Sequence, residues 1–213
     1  LENNLKLLAY VQSEANVKIL LALKGFALWS TFDLCKQYLQ GCCASGLNEA
    51  LLAHKEFGKQ VHTYSPAFKE EEFEQIVELS NHIVFNSFNQ WNQFKSKAMG
   101  KVSCGLRLNP QFSSVEVDLY NPCGLYSRLG ITKSEFDKNI TDKNFLEGIE
   151  GFHFHALCEQ NVDALAGVLK SFEEKFSAYL PQLKWVNFGG GHHISRKDYD
   201  VEGLIQLLKE FKG

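Results

Sequence analysis

Residues 17–25 read VKILLALKG, an apolar run that opens with Lys18 and closes on Lys24. Its length and its branched side chains fit a buried strand. Side chains alternate along a strand, so Leu20, Ala22 and Lys24 share one face while Ile19, Leu21 and Leu23 share the other. The second set is uniformly bulky and suits packing against helices. The first shrinks to alanine and ends in lysine, as expected of an inner face that leads to a ligand at a barrel mouth. A buried ammonium is costly unless it is paired or used. Lys24 is therefore either a lysine emerging into solvent at a strand end or a desolvated amine beside a cofactor, where burial favours Schiff-base chemistry.

Further along the chain the same kind of run recurs at Gly41–Ala44, Val61–Tyr64, His82–Asn86, Val102–Leu108, Gly151–His155 and Trp185–Phe188. Between these runs, LNEALLAHKEFG, FKEEEFEQIVELS, NVDALAGVLKSFEEKF and VEGLIQLLKEF place apolar residues at helical spacing with charge opposite. Strands alternating with amphipathic helices predict an α/β fold with a parallel sheet. Seven strands fit a TIM-type (β/α)8 barrel that lacks its last strand better than a doubly wound sheet, which is the alternative. Gln111–Gly148 reads as a long insertion, and its DLYNPCGLYSRLG segment as an ordered active-site loop.

Composition narrows the function classes. The chain has 213 residues, 45% of them hydrophobic, and a net charge of −3. One domain with a substantial core is expected over residues 1–213. No basic surplus exists to neutralise phosphates, which argues against a nucleic-acid partner. No apolar run approaches the ~20 residues of a bilayer span, and no secretory signal is present, so a cytoplasmic setting without a membrane partner is expected. Cys35, Cys42, Cys43, Cys104, Cys123 and Cys158 form no C-x-x-C pair and read as reduced thiols. The chain begins on a helix without Met and stops after another helix, which leads us to expect a piece of a longer protein.

In a parallel barrel, function gathers at the C-terminal ends of the strands. Those ends hold Lys24, CASG, GLRLNP, HFHALCE and FGGGHH. In GFHFHAL, alternation places Phe152 and Phe154 outward and His153 and His155 inward. The two imidazoles are either metal ligands or histidines satisfied within the core. Gly189, Gly190 and Gly191 follow a strand, where exposed backbone N–H groups form a phosphate nest or simply a tight turn. Arg107 shares the inner face with Gly105 and Asn109, and serves an anion, a carboxylate or a neighbouring hydrogen bond. Lysine, arginine, histidine and a glycine nest at one mouth make the inventory for pyridoxal phosphate.

LLALKGF, CASGLNE, GLRLNP, GFHFHALCE and NFGGGHH, in this order and spacing, resemble the fold type III pyridoxal phosphate decarboxylases. ALKGFALWS, DLYNPCGLYSRLGI and FHALCEQ resemble in particular the branch acting on carboxynorspermidine and carboxyspermidine. The resemblance implies an alanine racemase-like barrel and pyridoxal 5'-phosphate as cofactor. It implies Lys24 as the Schiff-base lysine, His155 as the histidine stacked on the pyridine ring and Gly189, Gly190 and Gly191 as the phosphate loop. Arg107 and Ser45 stand beside the cofactor, with Glu49 in support. Cys158 takes the place of a serine near the phosphate, and Cys42 that of an acidic residue, in ornithine decarboxylases. Both departures argue against ornithine as substrate.

The resemblance further implies decarboxylation of a polyamine precursor and a homodimer. The family's Glu-Pro-Gly segment, its C-terminal β domain and the Cys and Asp shared across the dimer are expected beyond Gly213. Diaminopimelate decarboxylase is the enzymatic alternative, a non-catalytic pyridoxal phosphate barrel the second and a metal-dependent hydrolase the third.

Overall fold

A computed structural model describes residues 1–115, 117–141 and 144–211. Glu116, Asp142 and Lys143 of the insertion, and Lys212 and Gly213 at the end of the expected domain, lie outside the described residues. The fold is an incomplete α/β barrel of strands and helices in alternation, and all pairings described below are parallel. The chain divides into two compact units, one of residues 1–64, 69–81 and 193–213, the other of residues 65–68 and 82–192.

The first unit holds β1 (Leu21–Ala22), β2 (Gly41–Ala44) and β3 (Gln60–Tyr64), with α1 (Glu2–Ala15), α2 (Phe32–Tyr38), α3 (Leu47–Leu52), α4 (Glu70–Leu79) and α8 (Val201–Glu210). Leu21 and Ala22 register with Cys42 and Cys43, and Cys42 with Val61. The apolar core contains Leu23, Phe32, Cys35, Cys42, Phe57 and Val61, with Ile19 and Leu21 packed against it. Alternation along residues 17–25 is as read: Ile19, Leu21 and Leu23 turn to the core, while Ala22 and Lys24 are exposed.

The strand itself is shorter than expected. It comprises Leu21–Ala22, and past it Gly25 and Phe26 N–H both donate back to the Ala22 carbonyl and fold the chain into a turn. Cys42, fully buried in the apolar core, is a packing residue on the helix-facing side.

The second unit holds β4 (His82–Phe85), β5 (Ser103–Arg107), β6 (Ile149–His153) and β7 (Trp185–Asn187), with α5 (Phe88–Ala98), α6 (Lys133–Lys138) and α7 (Val162–Phe176). Its strands pair in chain order. Phe152 and Phe154 are fully buried, as alternation predicts. Phe152 meets Phe136 and Phe176 edge-on, and Phe154 lies 4.8 Å from Phe172 and stacks on Phe188. Burying each such ring contributes about 2–3 kcal/mol.

On the opposite face, Gly105 and Gly151 make room for Trp185. A Cβ on Gly151 would come within 2.1 Å of the indole, and one on Gly105 within 2.3 Å. The indole N–H donates to Ser103 Oγ, which donates to Glu150, itself paired with Lys184.

The insertion is more ordered than its sparse apolar residues suggest. Thr132 and Glu135 form a capping box that starts α6, and Phe136 of that helix is fully buried. Ile131 pairs with Leu108 just past β5.

Candidate functional site

Within the first unit, Lys24 lies in the turn that leaves β1. The Leu23 N–H donates to the Cys43 carbonyl, which ties that turn to β2. Burial pushes the Cys43 thiol up to about 11 against the opposing pull of the Lys24 ammonium, so this thiol stays protonated near neutral pH. Ser45 follows β2 and is exposed, and its N–H donates to Glu49 Oε2 at 2.7 Å. Glu49, in the first turn of α3, thereby fixes the loop that carries Ser45. Lys24 and Ser45 thus leave the ends of two adjacent, registered strands.

Within the second unit, Arg107, His153, His155 and the glycine loop come together. Arg107 is buried, and its Nη2 donates to the His155 carbonyl at 3.2 Å. Of the three roles its position allows, the one seen is a hydrogen bond to a neighbour. His153 is buried, with Nδ1 3.2 Å from the Asn187 carbonyl. His155 lies two residues beyond the end of β6, and its Nδ1 accepts the Gly190 N–H at 3.1 Å.

The glycine loop departs from a simple phosphate nest. Gly189 N–H donates to Asn187 Oδ1 at 2.7 Å and Gly190 N–H to His155, so two of its N–H groups are spent within the protein. Two of the three positions require glycine. Gly189 (φ 71°) and Gly191 (φ 99°) adopt left-handed backbone, and a Cβ there would meet the Phe154 carbonyl at 2.6 Å or the Leu157 carbonyl at 2.3 Å. Gly190 has open space where a Cβ would stand.

Cys158 is exposed on the turn after β6. The next residue but one, Gln160, donates its N–H to the Gly191 carbonyl and its amide to Ser114 Oγ. His192, beside this turn, is pushed down to about 4 by burial and is neutral near pH 7.

Each unit by itself offers chemistry that suits pyridoxal phosphate. In the first, an exposed amine at a strand end can react with an aldehyde. In the second, a histidine ring held at Nδ1 offers a flat face, and the open space over Gly190 admits close approach of an anion. Among the described residues, no three His, Cys, Asp or Glu side chains group as metal ligands, and no helix is long and apolar enough to cross a membrane.

Sequence reading missed Asn86. Its Nδ2 donates to the Arg128 carbonyl and its Oδ1 accepts the Gly130 N–H, so the end of β4 grips the returning limb of the insertion. An asparagine at a strand end directly before a serine helix cap is the signal that was available. Trp185 was placed on a strand, but its packing on two glycines of neighbouring strands was not read.

No family model matches the chain. The carboxynorspermidine/carboxyspermidine decarboxylase of Campylobacter jejuni is 54% identical over 211 residues, covering 99% of this chain and 54% of that protein. The carboxyaminopropylagmatine decarboxylase of Synechocystis sp. is 41% identical over 212 residues, covering 99% of this chain and 54% of that protein. The crystal structure of carboxynorspermidine decarboxylase from Campylobacter jejuni, complexed with norspermidine, matches with a TM-score of 0.89 and 52% identity over 99% of this chain and 53% of that one. The chain therefore spans about half the length of the relatives it matches. The similarity to these decarboxylases holds along almost all of the chain.

Proposed function

We propose that this chain is the cofactor-holding barrel part of a pyridoxal phosphate-dependent decarboxylase acting on carboxynorspermidine or carboxyspermidine. The single observation that carries the reading is the 54% identity to a relative of that name, extending over 99% of the chain. The 41% identity to a carboxyaminopropylagmatine decarboxylase supports the broader substrate class, a polyamine bearing one carboxylate on an amine-substituted carbon.

Pyridoxal phosphate, when bound, supplies an aldehyde for an amine and a ring that accepts the electrons released as carbon dioxide leaves. In this reading Lys24, exposed at the end of β1, would hold the cofactor through its amine. The His155 ring would offer a flat face to the cofactor's ring. Arg107 and Gly190 hold that histidine at its carbonyl and at Nδ1. The Gly189–Gly191 loop and Cys158 border the phosphate, and Ser45, held by Glu49, lines the site near Lys24. A homodimer and a cytoplasmic setting belong to the same proposal.

The test is carbon dioxide release by the full-length protein offered carboxynorspermidine, carboxyspermidine, carboxyaminopropylagmatine, meso-diaminopimelate and ornithine. The first two are expected to give the highest kcat/KM. Preference for meso-diaminopimelate or ornithine, or no turnover of any carboxylated polyamine, overturns the reading.

A further inference from the structure

The glycine triplet has a second task, which its own hydrogen bonds reveal. A backbone N–H can only donate, so the Nδ1 that accepts the Gly190 N–H at 3.1 Å must carry a lone pair. The neutral ring of His155 then bears its proton on Nε2. Gly189 is shaped around the same ring: a Cβ there would stand 2.8 Å from both His155 Cβ and His155 Nδ1. Its N–H is anchored by Asn187 Oδ1 at 2.7 Å, which keeps the loop in register with the ring. At the other end of the residue, Arg107 holds the His155 carbonyl. Gly190 itself has open space where a side chain would stand, so the clamp needs its N–H and not its missing Cβ.

We infer that Gly189 and Gly190 are positioning residues for His155, fixing its ring as the Nε2–H tautomer before any cofactor arrives. The Gly190 N–H is then committed to the histidine and is not a phosphate donor. Anion binding falls to other groups around the loop. The inference deepens the proposed reading of this loop and rests on it only for what His155 goes on to do.

The experiment is long-range 1H–15N correlation spectroscopy of the full-length protein labelled at histidine ring nitrogens, free of cofactor, with His155→Gln identifying the His155 signals. One tautomer is expected, with the proton on Nε2 and a non-protonated, hydrogen-bonded Nδ1. Gly190→Ala keeps that pattern, because its N–H remains and its methyl has room. Gly189→Ala loses it to averaged ring signals. Should Gly189→Ala fail to fold, Asn187→Ala releases the same loop without a collision and is expected to broaden or average the His155 signals.

Adding inorganic phosphate leaves the Nδ1 signal in place. An Nδ1–H or averaged ring in the wild type overturns the inference. So does an unchanged pattern in folded Gly189→Ala or Asn187→Ala, or loss of the Nδ1 hydrogen bond on adding phosphate. Loading with pyridoxal phosphate separates the two claims: a fixed tautomer in a protein that takes up no cofactor sinks only the proposed function. Cofactor uptake with an averaged ring sinks only the clamp.

Discussion

Gly151 carries no side chain because the Trp185 indole occupies the place a methyl would take, 2.1 Å away. The indole cannot swing aside freely, since its N–H is bonded to Ser103 Oγ and its ring meets His82 edge-on. Gly151→Ala therefore overpacks the inner face and is expected to destabilise the protein by about 2 kcal/mol or more, read as a lower urea midpoint at unchanged slope. His192 gives a second residue-scale expectation. Burial holds it neutral down to about pH 4, whereas the unfolded chain takes up the proton near pH 6.5. Between those values the unfolded state binds more protons. Stability is thus fully present above pH 6.5 and falls as pH drops toward 4, by roughly 2 kcal/mol once partial solvent exposure of the ring is discounted. Denaturation of wild type and His192→Gln across pH 4–7 checks this: the variant is expected to show the flatter profile.

At the scale of elements, the outward face of β6 and its continuation anchors the second unit. Phe154 is fully buried between Phe172 and Phe188, and Phe154→Ala is expected to cost about 3–5 kcal/mol, measured by chemical denaturation. That face was legible in the sequence because GFHFHAL alternates strictly, and β2, β3 and β7 were legible within a residue or so as short apolar runs between turns. The start of β1 was not, since the strand begins at Leu21 although the apolar run already begins at Val17; past its end the Ala22 carbonyl captures two N–H groups, a local closure without a periodic signature. The insertion also hid α6, a six-residue helix with one buried side chain, Phe136, which shows in sequence only as the T-x-x-E of its cap. At the candidate site, residue identities were readable while their bonding was not. Arg107 stood out as an inward arginine, yet its partner is a backbone carbonyl 48 residues away, which no spacing rule encodes. Likewise, three adjacent glycines announced a close approach of backbone. Only the folded loop distinguishes the two positions shaped by Phe154, His155 and Leu157 from the one left open.

Across the whole molecule, a chain spanning about half of its relatives still carries an exposed lysine at a strand end, a doubly held histidine and a glycine loop with room for an anion. The alternation that buries Leu23 leaves Ala22 and Lys24 exposed. The proposed function depends on that lysine more than on any other single group. Borohydride reduction of the full-length protein loaded with pyridoxal phosphate, followed by peptide mapping by mass spectrometry, reads the attachment directly. A pyridoxyl group on the peptide containing Lys24, absent in Lys24→Ala, is the result expected. A label carried by another lysine, or no label in a protein that decarboxylates its substrate, would contradict the account.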